Sequence, residues 1–207
     1  MIDFPVVPAV RKKADHQMTP PIDRETLETE FRPEELITFP EAVVANIQHG
    51  PSSHFLRHIG IPSRPNPWFD LVDGTPEQVR AVGDCYDDLR ERWTNLPEGA
   101  EGWLLLGTIP YDDIALDGVT GVVHCLPGDE FESYPLNKDL NSFAHFLHLL
   151  EKERPNYDFE SDREILDPEG AARRLTERMS EIDPEALEVS HSRWHGILEY
   201  VAYPEAR

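Results

Sequence analysis

Cysteine is scarce: the 207 residues contain two, Cys85 and Cys125. That is too few for a disulfide framework and points to a reducing home, the cytoplasm. Long apolar runs are missing too. No stretch approaches the ~18 apolar residues of a membrane helix. The opening MIDFPVVPAVRKKADHQM has no continuous apolar core behind a basic start, so no secretory leader is expected. Positive charge is short as well, with 19 Lys and Arg against 40 Asp and Glu and a formal net charge of −21. Such a field repels nucleic acid and anionic membrane; it attracts basic partners and speeds their docking. There is no P-loop, no dinucleotide fingerprint and no Gly-x-Ser-x-Gly elbow, which removes common nucleotide and hydrolase chemistries.

What is present suffices for one packed domain with an extension. Residues 1–40 carry many prolines and acids with weak periodicity, and predict an extended arm with at most a short strand near Leu36, Ile37 and Phe39. Residues 41–207 read as a single domain. PEAVVANIQHG predicts one or two helical turns ending at Gly50, and PSSHFLRHIGIPS a short helix stopped at Gly60 before Pro62. By local rules TPEQVRAVGDCYDDLRERW is the clearest helix. Thr75 can cap it, Pro76 suits its first turn and Gln78 completes a capping box. Val79, Val82, Tyr86, Leu89 and Trp93 then form one apolar stripe.

The stretch WLLLGTIPYDDIALDGVTGVVHCLP holds three apolar runs broken by Pro-Tyr-Asp-Asp and Asp-Gly-Val-Thr-Gly. Strands are expected over residues 103–109, 114–117 and 121–126, with a fourth over 131–136, and links this short force antiparallel pairing. LNKDLNSFAHFLHLLEKE is a second clear helix, striped by Leu140, Phe143, Leu147 and Leu150 and capped by Asn137 or Asp139. Two more helices open at Asp167-Pro168 and near Ser192. The fold class is α+β: a compact antiparallel sheet of about four to six strands, covered by helices on one side.

Candidate chemistry is thin. His54 and His58 stand four apart on a helix, but no Glu lies between them in the His-Glu-x-x-His order and no third ligand is marked. His145 and His148 flank the stripe of their helix. Cys125 and His124 are strand neighbours and point to opposite faces, so they make no catalytic pair. No metal or cofactor is expected. The acid pairs Asp112-Asp113 and Asp129-Glu130 lie at bends, where turn chemistry and solubility favour them. A carboxylate dyad or an acidic edge offered to a partner would use the same residues.

The order of motifs adds to this. FLRHIGIPS is followed by the 103–127 meander, by Asn137, Leu140 and Phe143 in an Asn-x-x-Leu-x-x-Phe helix start, and by a closing helix around Trp194. Over residues 41–202 this order resembles the SUKH superfamily of bacterial immunity proteins, closest to its fourth subfamily. Lys138 and Asp139 depart from the small hydroxyl residues expected after the asparagine, and the 75–93 helix looks like an addition. The resemblance implies a non-enzymatic antidote that binds and blocks a toxin released in competition between bacteria, often a nuclease or a nucleic-acid deaminase. It implies no catalytic set. A toxin with a basic surface would then be the partner of the acids. The expected partner-binding residues are Asp112, Asp113, Asp129, Glu130 and Glu132 at the bends, and Asp84, Asp87 and Asp88 on the 75–93 helix. Two other readings stay open. A small-molecule or peptide-binding module would show a concave apolar pocket lined by Trp or His. A hydrolase would show a deep cleft with two facing acids, one of raised pKa.

Overall fold

Capped apolar stripes and turn-punctuated apolar runs fold as expected wherever local hydrogen bonding decides. The computed structural model describes residues 20–64, 68–71, 75–128, 132–158 and 166–204. Its first half is made of short elements: α1 (Arg24–Leu27), β1 (Leu36–Ile37), α2 (Glu41–Val44), α3 (Gly50–His54), β2 (Ile61–Pro62), β3 (Asp70–Leu71), α4 (Val82–Cys85) and α5 (Leu89–Arg92). The second half holds β4 (Leu104–Ile109), β5 (Asp112–Leu116), β6 (Val123–Leu126), β7 (Tyr134–Asn137), α6 (Leu140–Tyr157), α7 (Pro168–Ile182) and α8 (Arg193–Ala202).

β1 and β2 form a two-stranded ribbon, with Ile37 opposite Ile61. The central sheet has the order β3-β4-β5-β6-β7, antiparallel throughout. The expected meander is therefore present, lengthened by β3 on one edge. β3 approaches β4 closely because residue 107 is glycine: a Cβ there would stand 2.1 Å from the Asp70 carbonyl oxygen. Strand alternation sends adjacent leucines to opposite faces, and the register shifts between Leu105 and Gly107. Leu106 enters the main core and Leu105 a second cluster.

The main core lies between the sheet and α6, α7 and α8. Phe143, Phe146 and Leu150 of α6 share one buried cluster with Leu106, Ile114 and Leu136 of the sheet and with Met179, and the Trp194 ring lies against Phe143 and Phe146. Asp139 caps α6 by accepting from Ser142 N at 2.7 Å, and Asp167 caps α7 by accepting from Gly170 N at 3.1 Å. The other face of the sheet is covered without a long helix. Val82, Trp93, Leu96, Ala100 and Trp103 pack there against Leu105, Ala115 and Leu126. Trp103 stacks on His124 with ring centroids 3.9 Å apart.

This second cover corrects the expected 75–93 helix, which exists as a 3-10 turn, Pro76–Gln78, followed by α4 and α5. Its backbone pairs with the sheet edge instead. Ala81 bridges Leu104, Leu105 N donates to Arg80 O at 2.9 Å, and Val82 N donates to Trp103 O at 2.8 Å. The stripe is split accordingly, Val79 going to the main core and Val82 and Trp93 to the second cluster.

Smaller differences follow the same logic. α2 ends at Val44, and Gly50 opens α3 rather than closing a helix. α3 runs into a π-helical turn, Phe55–Ile59, which Gly60 ends at φ 90. The expected extended arm, from Ile22 onward, is packed. Ile22, Leu27, Phe31, Leu36 and Phe39 are buried in the main core, and α6 holds the segment through Asn141 Nδ2 donating to Ile22 O at 3.2 Å. Residues 1–19 of that arm lie outside the described residues.

Candidate partner-binding surface

Neighbours on a strand face opposite ways, so Asp112 and Asp113 of β5 part company. Asp112 is 1% exposed. It pairs with the Arg193 guanidinium and accepts from Gly128 N at 3.1 Å, with the Cys125 thiol at 3.6 Å. Asp112 is thus no surface ligand but an internal counter-charge that fastens β5 to the start of α8. The reason is long-range: α8 folds back over this face and brings a guanidinium to it. Arg193 is held above its usual pKa, chiefly by that hydrogen bond to Asp112.

Asp113 turns to the other face, half-buried, where the Tyr86 hydroxyl donates to it. Burial raises its pKa, and the Tyr86 hydrogen bond offsets this only in part. Burial and the adjacent carboxylate push the Tyr86 phenol up in turn. Asp112 and Asp113 do not face one another, so this pair makes no hydrolytic dyad.

Asp84, Asp87, Asp88 and Glu132 are exposed, and Asp129 and Glu130 lie outside the described residues. Three hydrogen-bonded ties hold the segment that carries Asp87 and Asp88 against the sheet. Tyr86 binds Asp113, as above. Trp93 Nε1 donates to Pro127 O at 2.9 Å. Asn95 Nδ2 donates to Ser133 O, and Asn95 Oδ1 accepts from Ser133 N, both at 2.7 Å. Residues 86–95, which carry Asp87 and Asp88, are thereby tied to Asp113 of β5, to Pro127 and to Ser133, the neighbour of Glu132. Asp84 follows in α4, two residues before Tyr86.

Around Asp112 lies a cleft of about 240 Å³, lined by Pro127, Tyr134, His191, Ser192, Arg193 and His195 among others. Its lining is mixed, with Asp112, Arg193 and two histidines beside Pro127 and Tyr134. The Cys125 thiol is buried, and burial with the nearby Asp112 charge raises its pKa, which makes it a poor nucleophile. The His54 and His58 rings stand 4.8 Å apart, yet no cluster of three metal-ligating side chains occurs among the described residues. Burial holds His148 down at about 4, helped by the nearby His145 and Lys152. Arg193 escaped sequence reasoning because it lies 81 residues from its partner. Tyr111 escaped it too, although an aromatic residue after proline in a tight turn is a visible oddity.

No helix among the described residues is long and apolar enough to cross a membrane. The model of the SUKH-4 immunity protein family matches residues 22–200. That span begins at Ile22, the first buried residue of the described chain. No curated protein and no solved structure matches.

Proposed function

Because this chain belongs to the SUKH-4 immunity protein family, we propose that it neutralises a toxin acting on nucleic acid, a nuclease or a deaminase, by occupying the toxin's basic cleft. Family membership implies the immunity role; the acidic flank supplies the mechanism. The observation that supports it is the set of three ties, Tyr86 to Asp113, Trp93 to Pro127 and Asn95 to Ser133, which hold the segment bearing Asp87 and Asp88 to the sheet of a chain of net charge −21. An enzyme that grips nucleic acid presents Lys and Arg to phosphates. Carboxylates fixed on a rigid support stand in for those phosphates and compete for the same groups. A negative field of this size steers the encounter, so the association rate carries much of the charge effect. The protein performs no chemistry of its own and acts in the cytoplasm, where the toxin would find its target.

The test is kinetic. Asp84→Asn, Asp87→Asn, Asp88→Asn and Glu132→Gln, all at exposed positions, are combined in one variant, and binding is measured to the toxin domain encoded beside this gene. Association should slow by roughly tenfold or more at low salt, with a shallower salt dependence and little change in dissociation. Unchanged association in the fourfold variant would remove the acidic flank from the interface.

A further inference from the structure

Three large apolar side chains stand exposed among the described residues: Tyr111 at 82%, Val119 at 62% and Tyr203 at 59%. Val119 lies in the turn at the far end of β5, and Tyr203 follows α8. Tyr111 sits at the end of the sheet that carries Asp112 and Asp113. It is the second residue of the two-residue link between β4 and β5, since Ile109 pairs with Asp112.

Its backbone is unusual. Tyr111 has φ 72 and is the one non-glycine residue with positive φ among those described. A proline followed by a left-handed residue is the type II turn pattern, in which glycine or asparagine is favoured at the second position. A bulky aromatic there is strained by its own Cβ. The strain is held in place from behind. The Tyr111 carbonyl oxygen abuts Gly128, where a Cβ would stand 2.4 Å away. The peptide is thereby wedged between the hairpin and the 127–128 turn, and the ring is aimed into solvent.

A ring so exposed contributes little to the core, and the backbone would be easier with glycine. What such a residue supplies is a large, amphipathic contact surface with few rotatable bonds on a rigid mount, the quality that makes tyrosine frequent among interface anchors. Its place fits that use. The next two residues diverge to the two faces of the sheet. Asp113 leads to the acidic flank and Asp112 to the Arg193 cleft, so the ring rises on the rim between them.

We propose that Tyr111 is the aromatic anchor of the toxin-binding surface. The proposal rests on the immunity reading given above. Its occupant is a protein face with an apolar slot rimmed by Lys or Arg, complementary to a tyrosine ring beside carboxylates, and the basic side chains can also lie over the ring. Shape-specific affinity then resides in the ring and long-range attraction in the acids.

The experiment uses the full chain and the toxin domain encoded beside its gene, with Tyr111→Gly and Tyr111→Phe as variants. Tyr111→Gly should unfold at the same temperature as the parent or higher, because it relieves the left-handed strain. Its Kd should rise roughly thirtyfold, mostly through faster dissociation, with an unchanged salt dependence. Tyr111→Phe keeps the ring and should bind within about threefold of the parent. Parent-like binding by Tyr111→Gly would overturn the proposal and leave the immunity reading standing. A Tyr111→Phe loss as large as that of Tyr111→Gly would place the affinity in the hydroxyl and overturn the ring anchor. A lowered unfolding temperature for Tyr111→Gly would show that the ring serves the fold. If the parent chain neither binds nor blocks that domain, the immunity reading itself fails and the anchor with it.

Discussion

The two faces of the five-stranded sheet are covered in different ways. On one, the stripes of α6, α7 and α8 join the sheet and the packed 22–61 segment in a core of 37 buried apolar residues of the described chain. On the other, residues 79–103 run as short turns, and the cluster beneath holds eight. The thin cover depends on two indoles and on hydrogen bonds at its margins, such as Trp93 Nε1 to Pro127 O. Local stability follows buried apolar contact, so the helical face should set the global stability and the turn face should open first. The exposed Asp84, Asp87 and Asp88 lie on this turn segment. A surface that contributes little to folding is free to vary for a partner, whereas a change on the helical face is felt throughout.

The largest expected effect tests the helical face. Phe143 is fully buried against Phe69 and Trp194, and Phe143→Ala should cost about 4 kcal/mol. Amide protection should fall together across α6 and the sheet. Asp112→Ala leaves the Arg193 charge without its partner and should cost about 3 kcal/mol in denaturant unfolding, the low end for a broken buried pair because Arg193 is partly exposed. Trp93→Ala should cost less than a usual core tryptophan, about 2 kcal/mol, because once the turn face opens locally the lost contacts no longer count toward global unfolding. Hydrogen exchange should then quicken over 82–103 and stay slow in α6. Equal quickening in both would make the two faces one cooperative unit.

Each face also holds a histidine largely shielded from water, His148 buried on α6 and His124 half-buried against Trp103, and desolvation lowers both from 6.5 to about 4. The folded chain keeps these rings neutral below pH 6.5 while the unfolded chain takes up protons. Stability is therefore full above pH 6.5 and falls as pH drops toward 4. Between pH 7.5 and 5.5 the loss should be roughly 1 kcal/mol per histidine. Thermal midpoints of His148→Gln and His124→Gln should each show a flatter pH dependence than the parent; a slope unchanged in both would contradict the assignment. The smallest effect is the sharpest test of the turn face. In a continuous helix Gly83→Ala would stabilise by up to ~1 kcal/mol. Here the new Cβ would meet the Cβ and carbonyl oxygen of Glu101 at 3.0 Å, so the change should be near zero or a loss of about 1 kcal/mol.

Much of the helical face was legible in advance. Asp139 and Asp167 cap where capping rules place them, the stripes of α6 and α7 point inward, and the Asp-Gly turn closes β5 onto β6. The candidate surface was legible only in part. Asp84, Asp87, Asp88 and Glu132 are exposed as expected of acids, but no local signal distinguished Asp112 from Asp113, because alternation says that two neighbours diverge and not which one meets a cation. The positive φ of Tyr111 was hidden for a related reason: turn propensities name glycine and asparagine, and say nothing of a strained aromatic held by Gly128 behind it.

Composition, period and caps alone determined an acidic α+β chain with a hairpin meander and amphipathic helices, because those features arise from bonds made within a few residues. Tertiary structure decided the rest. It broke the 75–93 stripe into turns by offering its backbone the edge of β4, and it drew Asp112 inward by folding Arg193 over it. Both outcomes rest on hydrogen bonds and charges whose partners lie far along the chain, and at such distances only the completed fold brings the groups within reach.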